Sequence, residues 1–298
     1  MITKLLDIPS PPSHSPDDVM KCKSDGDFRP LLFDWYKYVG LLCNAAASIR
    51  RESRGIRKLP SVHYSVLVGL LNRCSRLMFG NVALSHEGFF GETTSILDRC
   101  IFESAVKMAW LCQKRDEDSF TRYLSDGLKT ELKLRVRIHT DVAKRGGRTL
   151  VIEERMLRSI ENYIASSGLK EEQIRSAKKL PDMGAMIETL KLDKIVYIVA
   201  QSIGSHHVHG TWPSLRFNYL EEVDGVLGPR DHDCQTHVSQ YVFVPLAILD
   251  SLDSFMTFVC LDEDVLQSFL DFVHGIRSRI RQLNDAAVGN GMELTDEI

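Results

Sequence analysis

The 298-residue chain lacks the short signatures that would name a cofactor or a reaction: it has no glycine-rich nucleotide loop, no His-Glu-x-x-His helix and no complete nucleophile motif. Its seven cysteines, Cys22, Cys43, Cys74, Cys100, Cys112, Cys234 and Cys260, contain no CxxC pair and lie far apart. That pattern makes a poor disulfide framework and suits reduced thiols in a cytoplasm. An excess of charge is also missing. The 37 Lys and Arg against 40 Asp and Glu leave −3, which argues against polyanion binding by the whole surface and confines any nucleic-acid contact to a local patch. No run of about eighteen apolar residues offers itself to a bilayer. The first residues carry one early Lys and then Pro9-Ser10-Pro11-Pro12-Ser13, without the apolar core of a signal peptide. The expectation is a cytoplasmic protein with no cofactor and no membrane contact.

What is present is helical periodicity. Residues 1–25 mix Pro, Ser, Asp and Lys without a period and predict a flexible arm. From there Leu31, Leu32, Trp35, Tyr38, Val39 and Leu42 recur at steps of three and four. A second apolar face, from Leu67 to Met78, follows Pro60, and a third between Glu92 and Gln113 carries Leu97, Ile101, Met108 and Leu111. Residues 117–144 and 150–167 predict two further helices, ended by Gly146-Gly147 and Gly168. The β-branched stretch from Leu192 keeps the helical step through Ile203. A polar loop from Asn218 to Asp233 precedes two more apolar helices near 236–260 and 263–284, and Pro245 predicts a kink or a break in the first. No Asn-Gly turn joins alternating runs, and neither a βαβ rhythm nor an internal repeat occurs. The fold class is therefore all-α: an irregular bundle of about eight to ten helices in a single domain over 26–285, with a flexible tail over 286–298. Such bundles often self-associate, but no dimer face is specified.

Two stretches stand out chemically. In LDRCIFESAVKMAWL, Leu97 to Leu111, Arg99 and Glu103 are four residues apart on one helical face that Val106 and Trp110 continue, so the pair is expected to be partly buried. Either it fixes helix packing as a buried ion pair, or it forms a solvated ladder with Lys107, or Arg99 holds a phosphate or carboxylate while Glu103 orients it. In IVAQSIGSHHVHGTW, Ile198 to Trp212, extending the preceding helix places His206 in the apolar stripe, His207 at its edge and His209 in the last turn before a Gly210 cap. The helix dipole there favours a protonated ring, which suits His209 to acid or base work. On these two stretches the sequence resembles the prokaryotic domain-of-unknown-function family 5677 over roughly residues 60–220: Arg99 and Glu103 match its Arg-x-x-x-Glu helix, and Ser205, Val208, His209 and Gly210 its Ser-x-x-Val-His-Gly segment. A more distant similarity is to helical nucleases of the HEPN superfamily, which pair Arg with His to cleave RNA without metal. Their pair sits on one helix, whereas Arg99 and His209 lie in separate segments.

Those resemblances imply a metal-independent, ribonuclease-like effector of prokaryotic stress or phage defence. In it His209 moves a proton, Arg99 stabilises the phosphorane charge, Glu103 orients Arg99 and Ser205 holds the imidazole. The alternatives are a module that binds an anionic ligand or nucleic acid without turnover, and a purely structural role. A phosphate-backbone contact is expected at Lys144, Arg145 and Arg148, around Gly146-Gly147. A metal set is the rival chemistry, drawn from His207, His209, His232, Asp233, Cys234 and His237, although no ligand spacing defines it.

Overall fold

The computed structural model describes residues 9–85, 90–193, 204–231 and 234–289. Among these there are twelve helices and a single two-stranded hairpin, so the fold is all-α with a multi-helix architecture. The chain divides into two compact units, one from Met1–Lys58, Leu67–Gln113 and Met183–Ile298, the other from Leu59–Val66 and Lys114–Asp182.

In the larger unit, α1 (Pro16–Asp25) begins where the sequence predicts an arm. A capping box explains it: Ser15 Oγ accepts from the Asp18 backbone N–H at 3.2 Å, and the Asp18 carboxylate accepts from the Ser15 N–H at 2.9 Å. Pro16 opens the helix, Gly26 at φ 65° closes it, and Cys22 is buried beneath it. Further upstream Tyr38 donates to the Pro9 carbonyl at 3.1 Å. Residues 1–8 lie outside the described residues.

Helix α2 (Arg29–Ala47) buries Leu31, Leu32, Trp35, Tyr38, Val39 and Leu42, the stripe its spacing predicts. Helices α3 (Ser61–Ser85) and α4 (Gly91–Lys114) follow at the expected positions. Near the C-terminus α11 (Gln240–Val259) packs on both α2 and α12 (Glu263–Ala287). By length and composition α11 is apolar enough to cross a bilayer, although Asp250 and Asp253 interrupt its apolar run. Most of it is buried inside the unit, and a helix covered on several sides needs apolar residues all round. Pro245 does not divide it, and the helix is continuous from Gln240 to Val259. Helix α12 runs through Ala287, past residue 286 where the tail is expected to start, and 290–298 lie outside the described residues.

The smaller unit is a helical hairpin. Helices α5 (Glu117–Lys144) and α6 (Val151–Ser167) coincide with the predicted spans, and α7 (Glu171–Ser176) folds back on α5 so that Leu128, Leu132 and Ile174 enclose a small core of their own. Helix α8 (Met183–Thr189) returns the chain to the larger unit, where α9 (Gly204–His209) and α10 (Trp212–Asn218) follow. The helix expected from Leu192 to Ile203 falls mainly on residues 194–203, outside the described residues. After α10 the loop expected from Asn218 to Asp233 contains strands β1 (Leu220–Val223) and β2 (Val226–Pro229), paired antiparallel. Asp224 and Gly225, at φ 52° and 76°, form the turn. Asp-Gly supplies the two positive-φ positions of a type I′ turn, and that signal is present in the sequence.

Candidate functional site

The start of α4 is clamped by the chain before α11. The Phe90 and Gly91 N–H groups donate to the Cys234 carbonyl at 3.2 and 2.7 Å. A Cβ on Gly91 would lie 2.6 Å from the Gln235 carbonyl oxygen, so only glycine admits this approach. Thr94 donates to Gln240 Oε1 at 3.0 Å, and Gln240 Nε2 donates to Ser95 at 2.5 Å.

Behind this clamp Glu92 is 6% exposed. Its two carboxylate oxygens accept from the Ser214 and Tyr219 hydroxyls. His207 Nδ1 stands 3.6 Å from Glu92 Oε1 and 3.4 Å from Asn218 Nδ2. Asn218 in turn donates to the Ser214 carbonyl at 3.0 Å, one turn back on α10. A buried carboxylate is tolerated when both oxygens are bonded, as they are here.

In front of these groups lies a cavity of about 540 Å³, within the range of a small-ligand pocket. His206, His207 and His237 all line it, with Ser214, Asn218 and Phe217. In each imidazole Nδ1 is held: His206 Nδ1 lies 2.7 Å from Thr211 Oγ1, His207 Nδ1 lies beside Glu92, and His237 Nδ1 is 2.7 Å from Ser239 Oγ. Among the described residues, none of the three Nε2 atoms has a hydrogen-bond partner. The Ser239 backbone N–H donates to His237 Nδ1 at 3.2 Å, so the neutral ring carries its proton on Nε2. The Asn218 side-chain amide donates to His207 Nδ1 at 3.4 Å, so the neutral His207 ring likewise carries its proton on Nε2. One cavity thus gathers three imidazoles, each anchored through Nδ1. The Ser214 hydroxyl is engaged by Glu92 and is not aligned as a nucleophile.

Asp98 also lines the cavity. Asn81 Nδ2 donates to its Oδ1 at 2.5 Å and to the Tyr36 hydroxyl at 2.9 Å, while its Oδ2 is buried without a partner among the described residues. Burial pushes the Asp98 carboxyl well above the usual carboxylate range, overcoming the lowering effect of its bonds with Asn81 and Tyr36. The same burial raises the Tyr36 hydroxyl, with the Asp98 charge adding to it.

Of the residues singled out from sequence, Arg99 and Glu103 form the expected half-buried pair, Nε to Oε1 at 3.1 Å, with Lys107 Nζ 3.9 Å from the other oxygen. Arg99 meets the histidine helix: a Cβ on Gly204 would touch Arg99 Cβ at 3.2 Å. Arg99 Nη1 is buried and has no partner among the described residues. The first motif therefore supports α9 from below, and Arg99 is not among the cavity-lining residues. His209 sits in the last turn of α9 before Gly210 at φ 55°, as expected, and it is exposed rather than in the cavity. No hydrogen bond joins it to Ser205 or Arg99 among the described residues. His206, expected in the core, is half-buried at the cavity wall. The Thr211 N–H donates to its carbonyl at 3.2 Å, ending α9 as a Schellman turn.

Lys144, Arg145 and Arg148 belong to the smaller unit and are exposed. Arg145 Nη2 reaches both Glu153 oxygens at 2.5 Å, and Glu153 accepts from the Leu150 N–H at 2.9 Å, so this guanidinium holds the start of α6. Lys144 lies 3.8 Å from Asp141. Of the rival metal set, His207, Cys234 and His237 line the cavity, His209 does not, and His232 and Asp233 lie outside the described residues. No group of three metal-ligating side chains occurs among the described residues. All seven cysteines are free thiols. Glu92, Ser214, Asn218 and Tyr219 were not anticipated. Their signal was faint: Glu92 lies seven and eleven residues before Arg99 and Glu103, on the same helical face.

Fold and site together define an all-helical protein with a histidine-lined cavity built where two sequence motifs meet. The chain belongs to the Family of unknown function (DUF5677), whose model matches residues 64–226 and takes in both motifs. No curated protein and no solved structure matches the chain.

Proposed function

We propose that the cavity is a metal-independent acid–base site acting on one phosphate-bearing ligand of nucleotide size, with RNA as the polymer that supplies it. The observation that carries this reading is the convergence of His206, His207 and His237 on one cavity, each with Nδ1 engaged by a neighbouring side chain. Ser214 is bonded to Glu92, so the attacking oxygen has to come from the substrate, and RNA carries one at every 2′ position. One of these rings then takes the 2′ proton and another protonates the departing 5′ oxygen, Asn218 and Glu92 hold His207, and Arg99 acts as a positioning residue beneath α9. His209 is left to contact the backbone outside the cavity, and the Lys144 to Arg148 loop is a separate phosphate contact of the smaller unit by itself. A cytoplasmic effector of stress or phage defence is the role to which such scission belongs.

The test is incubation of matched RNA and DNA with wild type and with His207→Ala, His237→Ala and His209→Ala, in the presence of a chelator. RNA alone should be cut, leaving a 2′,3′-cyclic phosphate. His207→Ala and His237→Ala should each lose about 10²-fold or more in rate, while His209→Ala retains turnover. Intact RNA with the wild type sinks the reading. A second reading, binding without turnover, is favoured by the absence of an aligned nucleophile around Ser214. Its mark is a thermal stabilisation by adenosine 5′-monophosphate that His207→Ala abolishes, with no product formed.

A further inference from the structure

A second cavity of about 430 Å³ lies in the larger unit, away from the histidines, between the end of α2, the turn over residues 48–56 and the junction of α11 with α12. Its wall is built by backbone pairing. The Arg57 N–H donates to the Val259 carbonyl and the Leu261 N–H to the Gly55 carbonyl, each at 2.7 Å, around an Ile56–Cys260 bridge. The turn is therefore held against the helix junction, and the cavity is preformed. Gly55, at φ 80°, makes this close turn, and a Cβ there would touch Asp262 at 3.4 Å.

The lining has two parts. Ile49, Ile56, Met256, Val265 and Phe269 make an apolar body, and Arg50 and Arg54 stand at the exposed edge. The four arginines of this turn are used differently. Arg51 pairs with Glu52 at 3.1 Å, and Arg57 donates to the Phe258 carbonyl at 2.8 Å while lying over the Phe258 ring. Arg50 and Arg54 form no ion pair among the described residues. Arg50 contributes only the smallest of the effects at Glu52, whose carboxyl is lowered first by its bond with Arg51. The one acid in the lining, Asp262, is occupied as the cap of α12, accepting from the Val265 N–H at 3.1 Å.

Two unpaired guanidinium groups at the mouth of an apolar cavity define their ligand by chemistry. We infer that this is a binding site for an amphipathic anion, with an alkyl or aryl body enclosed by the apolar wall and one carboxylate or phosphate head held between Arg50 and Arg54. It does not depend on the acid–base reading of the histidine cavity. Both arginines are exposed, so their removal leaves the fold intact.

The experiment is calorimetric titration of the full chain with decanoate, decyl phosphate and decanol. Saturable binding of at least one anion is expected, with decanol about tenfold weaker or more, since it lacks the charge. The comparison of decanoate with decyl phosphate identifies the preferred head. The Arg50→Ala, Arg54→Ala double variant should lose about tenfold or more in affinity for the anion while keeping the wild-type Tm without ligand, and Val265→Trp should block anion and alcohol alike. No saturable binding by wild type, equal affinity for decanol, or undiminished binding by the double variant overturns the inference.

Discussion

At the scale of single residues, the side chains that organise the histidine cavity are acids rather than bases. Glu92 is buried and accepts two hydroxyl bonds, so Glu92→Ala leaves Ser214 and Tyr219 without their acceptor. We expect it to lower unfolding stability by about 1–3 kcal/mol, read from denaturant midpoints, and to lose RNA scission with it. Asp98 gives a pH test. Its folded carboxyl is raised above the unfolded value of about 3.9, so the folded state holds the proton more tightly. The stability this contributes is fully present below that value and is lost as pH rises through the folded pKa. Asp98→Asn keeps an oxygen for Asn81 and removes the titration. In paired urea titrations the variant should gain on wild type as pH increases from 4 toward neutrality, and a constant difference across the series would contradict the assignment.

The element scale is where two glycines act. At Gly91 an added Cβ meets the backbone carbonyls of Gln235 and Cys234, which have little room to move. At Gly204 it meets the aliphatic part of Arg99, which can shift by a few tenths of an ångström. Gly91→Ala is therefore expected to cost about 1–3 kcal/mol, and Gly204→Ala clearly less, in denaturant unfolding. Equal costs would mean that the clamp on α4 is looser than its geometry. Helix positions were largely legible: α5 and α6 begin and end where charge, glycine and periodicity say they do. The failures share a cause. The arm hid a ten-residue helix because its signal is a capping box, not an apolar stripe, and the polar loop hid a hairpin because Asp-Gly does the work of Asn-Gly. Position in the last turn, read from helical phase, and the family resemblance favour His209 over His206 and His207. Phase ranks the faces of one helix and does not reveal that α10 and the segment before α11 would wall off the other two rings.

Across the whole molecule, each unit has its own core. In the smaller one Ile174 is fully buried with Leu128 and Leu132. Ile174→Ala is expected to destabilise that unit by about 2–5 kcal/mol, seen as faster amide exchange along α5 to α7. Phe255→Ala, in the core of α11, should cost about 3–5 kcal/mol in the larger unit and carry the cavities with it. Simultaneous loss of protection throughout the chain in the Ile174 variant would contradict the division.

The sequence by itself determined the all-helical class, most helix boundaries and the Arg99–Glu103 pair, because periodicity, caps and i,i+4 spacing are local and survive without a fold. It also marked the two motifs as belonging together, through their resemblance to one family. Tertiary structure alone decided which histidines face a cavity and that Glu92 lies beside His207. Glu92 and His207 are more than a hundred residues apart, as are Gly91 and Gln235. No local pattern encodes a contact that exists only once α9, α10 and the chain before α11 have packed around the start of α4.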